Sequence, residues 1–169
     1  MTHRTVTTTT TSDPTKTALV AMGRAAEAAA NTWTMREWAA RLASRAGPRD
    51  YVGQLRELYL GILERWRYVQ EPGEWVSGSA RAVLGNVLGL SYQGAADPER
   101  ASVESLPVRR ETRGWGDCDD VATLTAAGVR ALGMTPQFRV TQGPSGGHVH
   151  VLVRTPTGQV VSLDPVGHP

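Results

Sequence analysis

The string Gly114-Trp115-Gly116-Asp117-Cys118-Asp119-Asp120 sets the only cysteine of the chain directly before a run of apolar and small residues, Val121 to Leu132. That run has almost no polar face, so it is read as a buried helix from Asp117 to Ala131, stopped by Gly133. The Cys118 sulfur then stands at a helix N-terminus, where unpaired N–H groups and the macrodipole favour a thiolate. Gly116 lets the chain turn into the helix without side-chain hindrance. Asp117, Asp119 and Asp120 suit a helix start but oppose ionisation of a neighbouring thiol. A lone cysteine is more often a small buried hydrophobe than a nucleophile, so its partners must decide.

Two further groups stand downstream. His148-Val149-His150-Val151-Leu152-Val153 begins thirty residues after Cys118. In a strand alternate side chains share a face, so Val149, Val151 and Val153 point one way and His148 and His150 the other. Asp164, in Leu163-Asp164-Pro165, follows the next strand and can orient an imidazole by accepting a hydrogen bond from its far nitrogen. An Asp before Pro also starts turns, which is the competing structural reading. The chemistry these groups can do is nucleophilic attack by sulfur with histidine as base. A second reading is metal binding, since Asp117, Asp119, Asp120, His148 and His150 offer enough ligands for zinc or manganese. HExxH and paired-cysteine spacings are absent, and no metal or other cofactor is expected.

The elements that must carry these groups are legible in outline. Residues 1–16, with Thr7 to Thr11 unbroken, read as a flexible arm with no apolar face; ordering against an assembly partner is its sharper reading. An Ala-rich helix is expected from Thr17 to Ala30. A second opens with Thr34 and Glu37 as a capping box and stops at Gly47-Pro48. A third is capped by Asp50 and repeats Val52, Leu55, Leu58, Tyr59, Ile62 and Trp66 at helical spacing. Tyr68-Val69 then extends toward a Pro72-Gly73 turn. A further helix is expected over Ser79 to Leu88, and Leu90 to Arg113 reads as loop. After the Cys118 helix come three strands, Gln137–Thr141, His148–Arg154 and Gln159–Leu163, the last two joined by Pro156-Thr157-Gly158. The expected class is α+β, with one domain over 17–169: a helical part, 17–112, and a catalytic helix and antiparallel sheet, 113–169.

Composition excludes other classes. The chain of 169 residues is 40% hydrophobic and 20% charged, as for a soluble globular protein. Net charge is +2, and seventeen of the eighteen basic residues are Arg, with Lys16 the exception. The arginines are scattered, without the stripe and interleaved aromatics of a nucleic-acid surface. No apolar stretch approaches the roughly 20 residues that span a bilayer, and no secretory h-region opens the chain. A cytosolic protein, or one within a phage or bacterial particle, with no membrane or nucleic-acid partner, is expected.

Taken together, the three elements resemble the transglutaminase-like cysteine peptidase superfamily. The small bacterial and phage members carry Gly-Asp-Cys-Asp-Asp before an Ala- and Leu-rich helix, as Gly116 to Asp120 does here. They also carry a His-Val-x-Val strand, here His148 to Val151, and a Leu-Asp near the end, here Leu163-Asp164. Trp66-Arg67-Tyr68-Val69 followed by Pro72-Gly73 is similar to the segment that precedes their nucleophile. The resemblance spans about Leu55 to Pro165 and is strongest from Gly116 to Asp164. It implies a papain/transglutaminase-like fold, with Cys118 as nucleophile, His148 as base and acid, and Asp164 as the orienting group. His148 is preferred to His150 because it opens the His-Val-x-Val pattern; His150 is the alternative base. The Cys118 N–H would be one oxyanion donor, and Trp115 or Tyr68 would supply another or wall the cleft. The implied reaction forms a thioester from an amide or peptide, resolved by water or by an amine. Relatives continue past the Asp strand with at least one more strand. Here five residues follow Asp164, so a shortened or processed copy, or a sheet edge completed by a partner, is expected.

Overall fold

A computed structural model of the chain describes residues 14–68, 114–143 and 146–165. The expected helix at Ser79 to Leu88, the Pro72-Gly73 turn, the loop up to Arg113 and the arm before Pro14 lie outside these residues. The described architecture is α+β: four helices around one core and a small antiparallel sheet of three strands.

Helix α1 runs from Pro14 to Ala30, so the last three residues assigned to the arm belong to it. Proline is at home in a first helical turn, where its missing N–H would have no intrahelical partner. α2 spans Trp33–Ala43 and is capped by Thr32 rather than by the expected Thr34. The Thr32 hydroxyl accepts from the Met35 N–H at 3.3 Å and donates to the Ala29 carbonyl at 2.7 Å. One side chain thus serves the end of α1 and the start of α2, a double role that Thr34, buried inside the first turn, does not fill. α2 ends at Ala43 with Ser44 as its C-cap, before Gly47-Pro48 is reached. α3 spans Tyr51–Arg65, and Asp50 caps it as expected, accepting from the Gly53 N–H at 2.9 Å. Leu55, Leu58 and Ile62 are fully buried, whereas Val52, on the same stripe but in the first turn, is 38% exposed. The apolar pattern continues to the helix end; its cover does not.

Two short strands, β1 (Trp66–Tyr68) and β2 (Gly114–Gly116), pair in parallel. This pair, absent from the sequence reading, ties the end of α3 to the segment entering the cysteine helix, with Tyr68 opposite Gly116. α4 spans Cys118–Ala131 and is buried from Asp120 through Val129. It packs against α1, α2 and α3 on one side and against the sheet on the other. Each of its fully buried Leu and Val side chains contributes about 1.5–3 kcal/mol through removal from water. Its end is a Schellman motif: Met134 N–H donates to Val129 O, Gly133 N–H to Arg130 O, and Gly133 takes φ +79°.

β3 (Thr135–Gly143), β4 (Gly146–Arg154) and β5 (Val160–Leu163) form the sheet in chain order. β3 and β4 pair along their whole length, while β5 pairs only with Val151–Arg154. The turn at Pro156-Thr157-Gly158 is closed by Thr155, whose N–H donates to Gln159 O and whose O accepts from the Gly158 N–H. Val149, Val151 and Val153 join the core, as the alternation required. Among the described residues no helix is long and apolar enough to cross a membrane.

Candidate active site

The site forms where the start of α4 meets the β4 edge that β5 leaves uncovered. β5 stops at Leu163, opposite Val151, so the edge of β4 around Val149 is open to the cysteine helix. The Val149 backbone N–H is close enough to the Cys118 sulfur to favour its thiolate. That nitrogen belongs to the peptide joining His148 to Val149, so the sulfur lies beside the β4 backbone there. Cys118 is partly buried and packs against the core.

Asp117 is the N-cap of α4, its carboxylate accepting from the Asp119 N–H at 3.3 Å. Asp119 in turn accepts from the Asp120 N–H at 3.1 Å. Asp120 is buried and lies across Gly116, so closely that a methyl group there would collide with it. Gly116 is therefore fixed by close approach as well as by the turn.

On the other strand face, the rings of His148 and His150 stack with centroids 5.9 Å apart and planes 28° from parallel. The Nε2 of His148 lies 2.9 Å from both carboxylate oxygens of Asp164. A carboxylate only accepts, so Nε2 carries the proton and Nδ1 of the neutral ring holds the lone pair. Charge-assisted pairing of this length fixes both ring orientation and tautomer. The side chains are 13% and 18% exposed, so the pair is shielded yet reachable. The Tyr59 hydroxyl of α3 donates to the Asp164 carbonyl at 3.4 Å, anchoring the chain just past β5. Sequence reading took Tyr59 for a core residue only; its link to a residue 105 positions away has no local signal.

Electrostatics oppose a resting thiolate. Burial pushes the Cys118 thiol above its ordinary value, and the charges of Asp117 and Asp119 add to this, against the lowering effect of the Val149 and Cys118 N–H groups. Helix-terminal stabilisation, expected from the sequence, is thus outweighed. Burial and the adjoining Asp117 carboxylate push the Asp119 carboxyl up to about 8, so near neutral pH it holds a proton that Asp117 accepts. The stability held by that proton is complete below the ordinary value near 3.8 and is lost as pH rises through about 8. In Asp119→Asn the amide N–H can replace the shared proton. The variant is expected to resist urea better than the wild type at about pH 8.5, with the difference shrinking toward about pH 5. Denaturation midpoints at the two pH values check this, and a difference that grows toward acid pH contradicts it.

The ligand-bearing residues proposed together from sequence fall into two separate groups. Asp117, Asp119 and Asp120 form one; His148 and His150 form the other together with Asp164, their donor atoms within 4.8 Å in each group. Tyr68 and Trp115 are placed by backbone only: Trp115 lies opposite Arg67, and Tyr68 opposite Gly116, two residues before Cys118. No protein-family model, curated protein or solved structure matches the chain.

Proposed function

We propose that the chain is a transglutaminase-like thiol hydrolase or acyltransferase acting on amide or peptide bonds, with the papain/transglutaminase-like arrangement of cysteine helix, histidine strand and aspartate strand. The observation that carries this reading is the His148–Asp164 pair on adjoining strand segments, with the Cys118 thiol close to the backbone of the next residue, Val149. The His148 ring is held at Nε2 by Asp164.

In this reading the resting thiol is protonated. His148 Nδ1 takes its proton as the sulfur attacks the carbonyl, so the thiolate forms only as it is consumed. Asp164 stabilises the resulting imidazolium without itself being protonated. The oxyanion of the tetrahedral intermediate is stabilised by the Cys118 N–H at the start of α4, with Trp115 or Tyr68 proposed as the second donor or cleft wall. Collapse breaks the C–N bond, His148 returns its proton to the leaving ammonia or amine, and a thioester remains on Cys118. Water or an amine resolves it, so a protein or peptide is the proposed substrate.

Intact mass spectrometry with a glutamine-containing peptide tests this. The wild type should gain the acyl mass minus ammonia or amine, and Cys118→Ser should resolve differently or gain nothing. An identical mass gain in Cys118→Ala, or none in the wild type, contradicts the proposal.

One observation favours a second reading, a catalytically silent copy of the fold serving as a structural part of a phage or bacterial assembly. The Cys118 thiol is raised by burial and flanked by acids, as an inert thiol would be. That reading expects alkylation of Cys118 to be slow and indifferent to His148, with residues 1–16 and the C-terminal sheet edge proposed as docking elements.

A further inference from the structure

His148 and His150 stand two residues apart on β4, so they project from one face. Antiparallel pairing of Val151 with Leu163 brings Asp164, the next residue of the neighbouring strand segment, beside them. One donor atom from each residue lies within 4.8 Å of the other two. His150 is 6% exposed and the His148 and Asp164 side chains 13% and 18%. The three side chains are therefore largely shielded from bulk water. Two imidazoles and a carboxylate are the donor set of an open zinc site, in which a fourth position stays with water. The ligands come from two paired strands, which hold them without a loop.

We propose that His148, His150 and Asp164 bind a divalent transition ion of the zinc type, and that its binding switches the Cys118 site off. The ion would replace the proton now on His148 Nε2, between that nitrogen and the Asp164 carboxylate. A neutral imidazole coordinated through Nε2 must carry its proton on Nδ1. Nδ1 is the atom that accepts the thiol proton in the proposed reaction, so the metal-bound ring is the wrong tautomer for a base. Metal binding and thiol activation are mutually exclusive uses of one histidine. The proton displaced from Nε2 passes to Nδ1, so binding to the neutral ring releases no net proton. The site itself does not depend on the proposed catalysis; only the switching does.

The test uses the full chain, freed of metal with a chelator. Calorimetric titration with zinc should show one equivalent. His150→Gln and His148→Gln should each weaken binding more than about tenfold, while Asp119→Asn should not. Cobalt bound to the wild type, which needs no variant to fold, should give a d–d spectrum without a thiolate-to-metal charge-transfer band. Iodoacetamide alkylation of Cys118 should slow with zinc and recover with chelator. Absent binding, undiminished binding in both histidine variants, or a thiolate band overturns the site. Binding at these residues with alkylation unchanged overturns the switch alone and leaves the thiol chemistry to the acyl-adduct experiment.

Discussion

Replacing His148 by alanine is expected to slow acylation and alkylation of Cys118 by about 10²–10⁴-fold near neutral pH, the range ascribed to a positioned proton acceptor. The size follows from the electrostatics of the thiol. Near neutral pH burial and the Asp117 charge keep the sulfur protonated, so reaction requires a base at the moment of attack. A thiol already ionised by its helix would lose much less. The dependence should shrink as pH is raised, because hydroxide then supplies the thiolate without the imidazole. Asp164→Asn should fall between wild type and His148→Ala. An Asn amide can still meet Nε2 but no longer enforces a proton on it, as the carboxylate does through two contacts at 2.9 Å. Alkylation rates across pH for the three proteins check this. Equal rates in wild type and His148→Ala would mark the cysteine as a bystander.

Gly116→Ala is expected to lower stability by about 1–3 kcal/mol, the usual range for forcing atoms into a packed site, and to depress Cys118 reactivity beyond that loss. The added methyl would fall 2.9 Å from the Asp120 Cβ and closer still to its carboxylate. Asp120 is 4% exposed, so it cannot swing into solvent. Relief must come from moving the first turn of α4, which carries Cys118. Gly133→Ala provides the contrast. At φ +79°, with nothing near the added carbon, it should cost about 1–2 kcal/mol from the left-handed backbone alone. It lies beyond the far end of α4 and should leave Cys118 alkylation unchanged. Urea denaturation and alkylation measured on both variants separate local from global damage. Equal loss of reactivity per unit of stability in the two would contradict a specific role for Gly116.

Much of this arrangement was legible along the chain because its signals are local. The buried α4 showed itself through Val121 to Leu132 without a polar face, and its end through Gly133. The two-residue alternation around His148 separated valines from histidines, and both follow from backbone geometry that a few neighbouring residues fix. The α2 start was misread because Thr32 and Thr34 are equally good caps by type. Only the Ala29 carbonyl, delivered by the preceding helix, selects Thr32. The β1–β2 pair joins residues 66–68 to 114–116, a separation at which no periodicity survives.

The sequence by itself determined the four described helices in outline, the strand faces and the presence of a thiol, two imidazoles and a carboxylate, since propensity, capping and apolar spacing act over a few residues. Tertiary structure alone decided that Asp164 meets Nε2 of His148, that Tyr59 anchors Asp164, and that β5 ends where the Val149 N–H can turn to sulfur. It also decided that burial and two carboxylates outweigh the helix terminus at Cys118. Those outcomes depend on which groups are brought within a few ångströms and how much water is left between them, and neither quantity is written in any local stretch of chain.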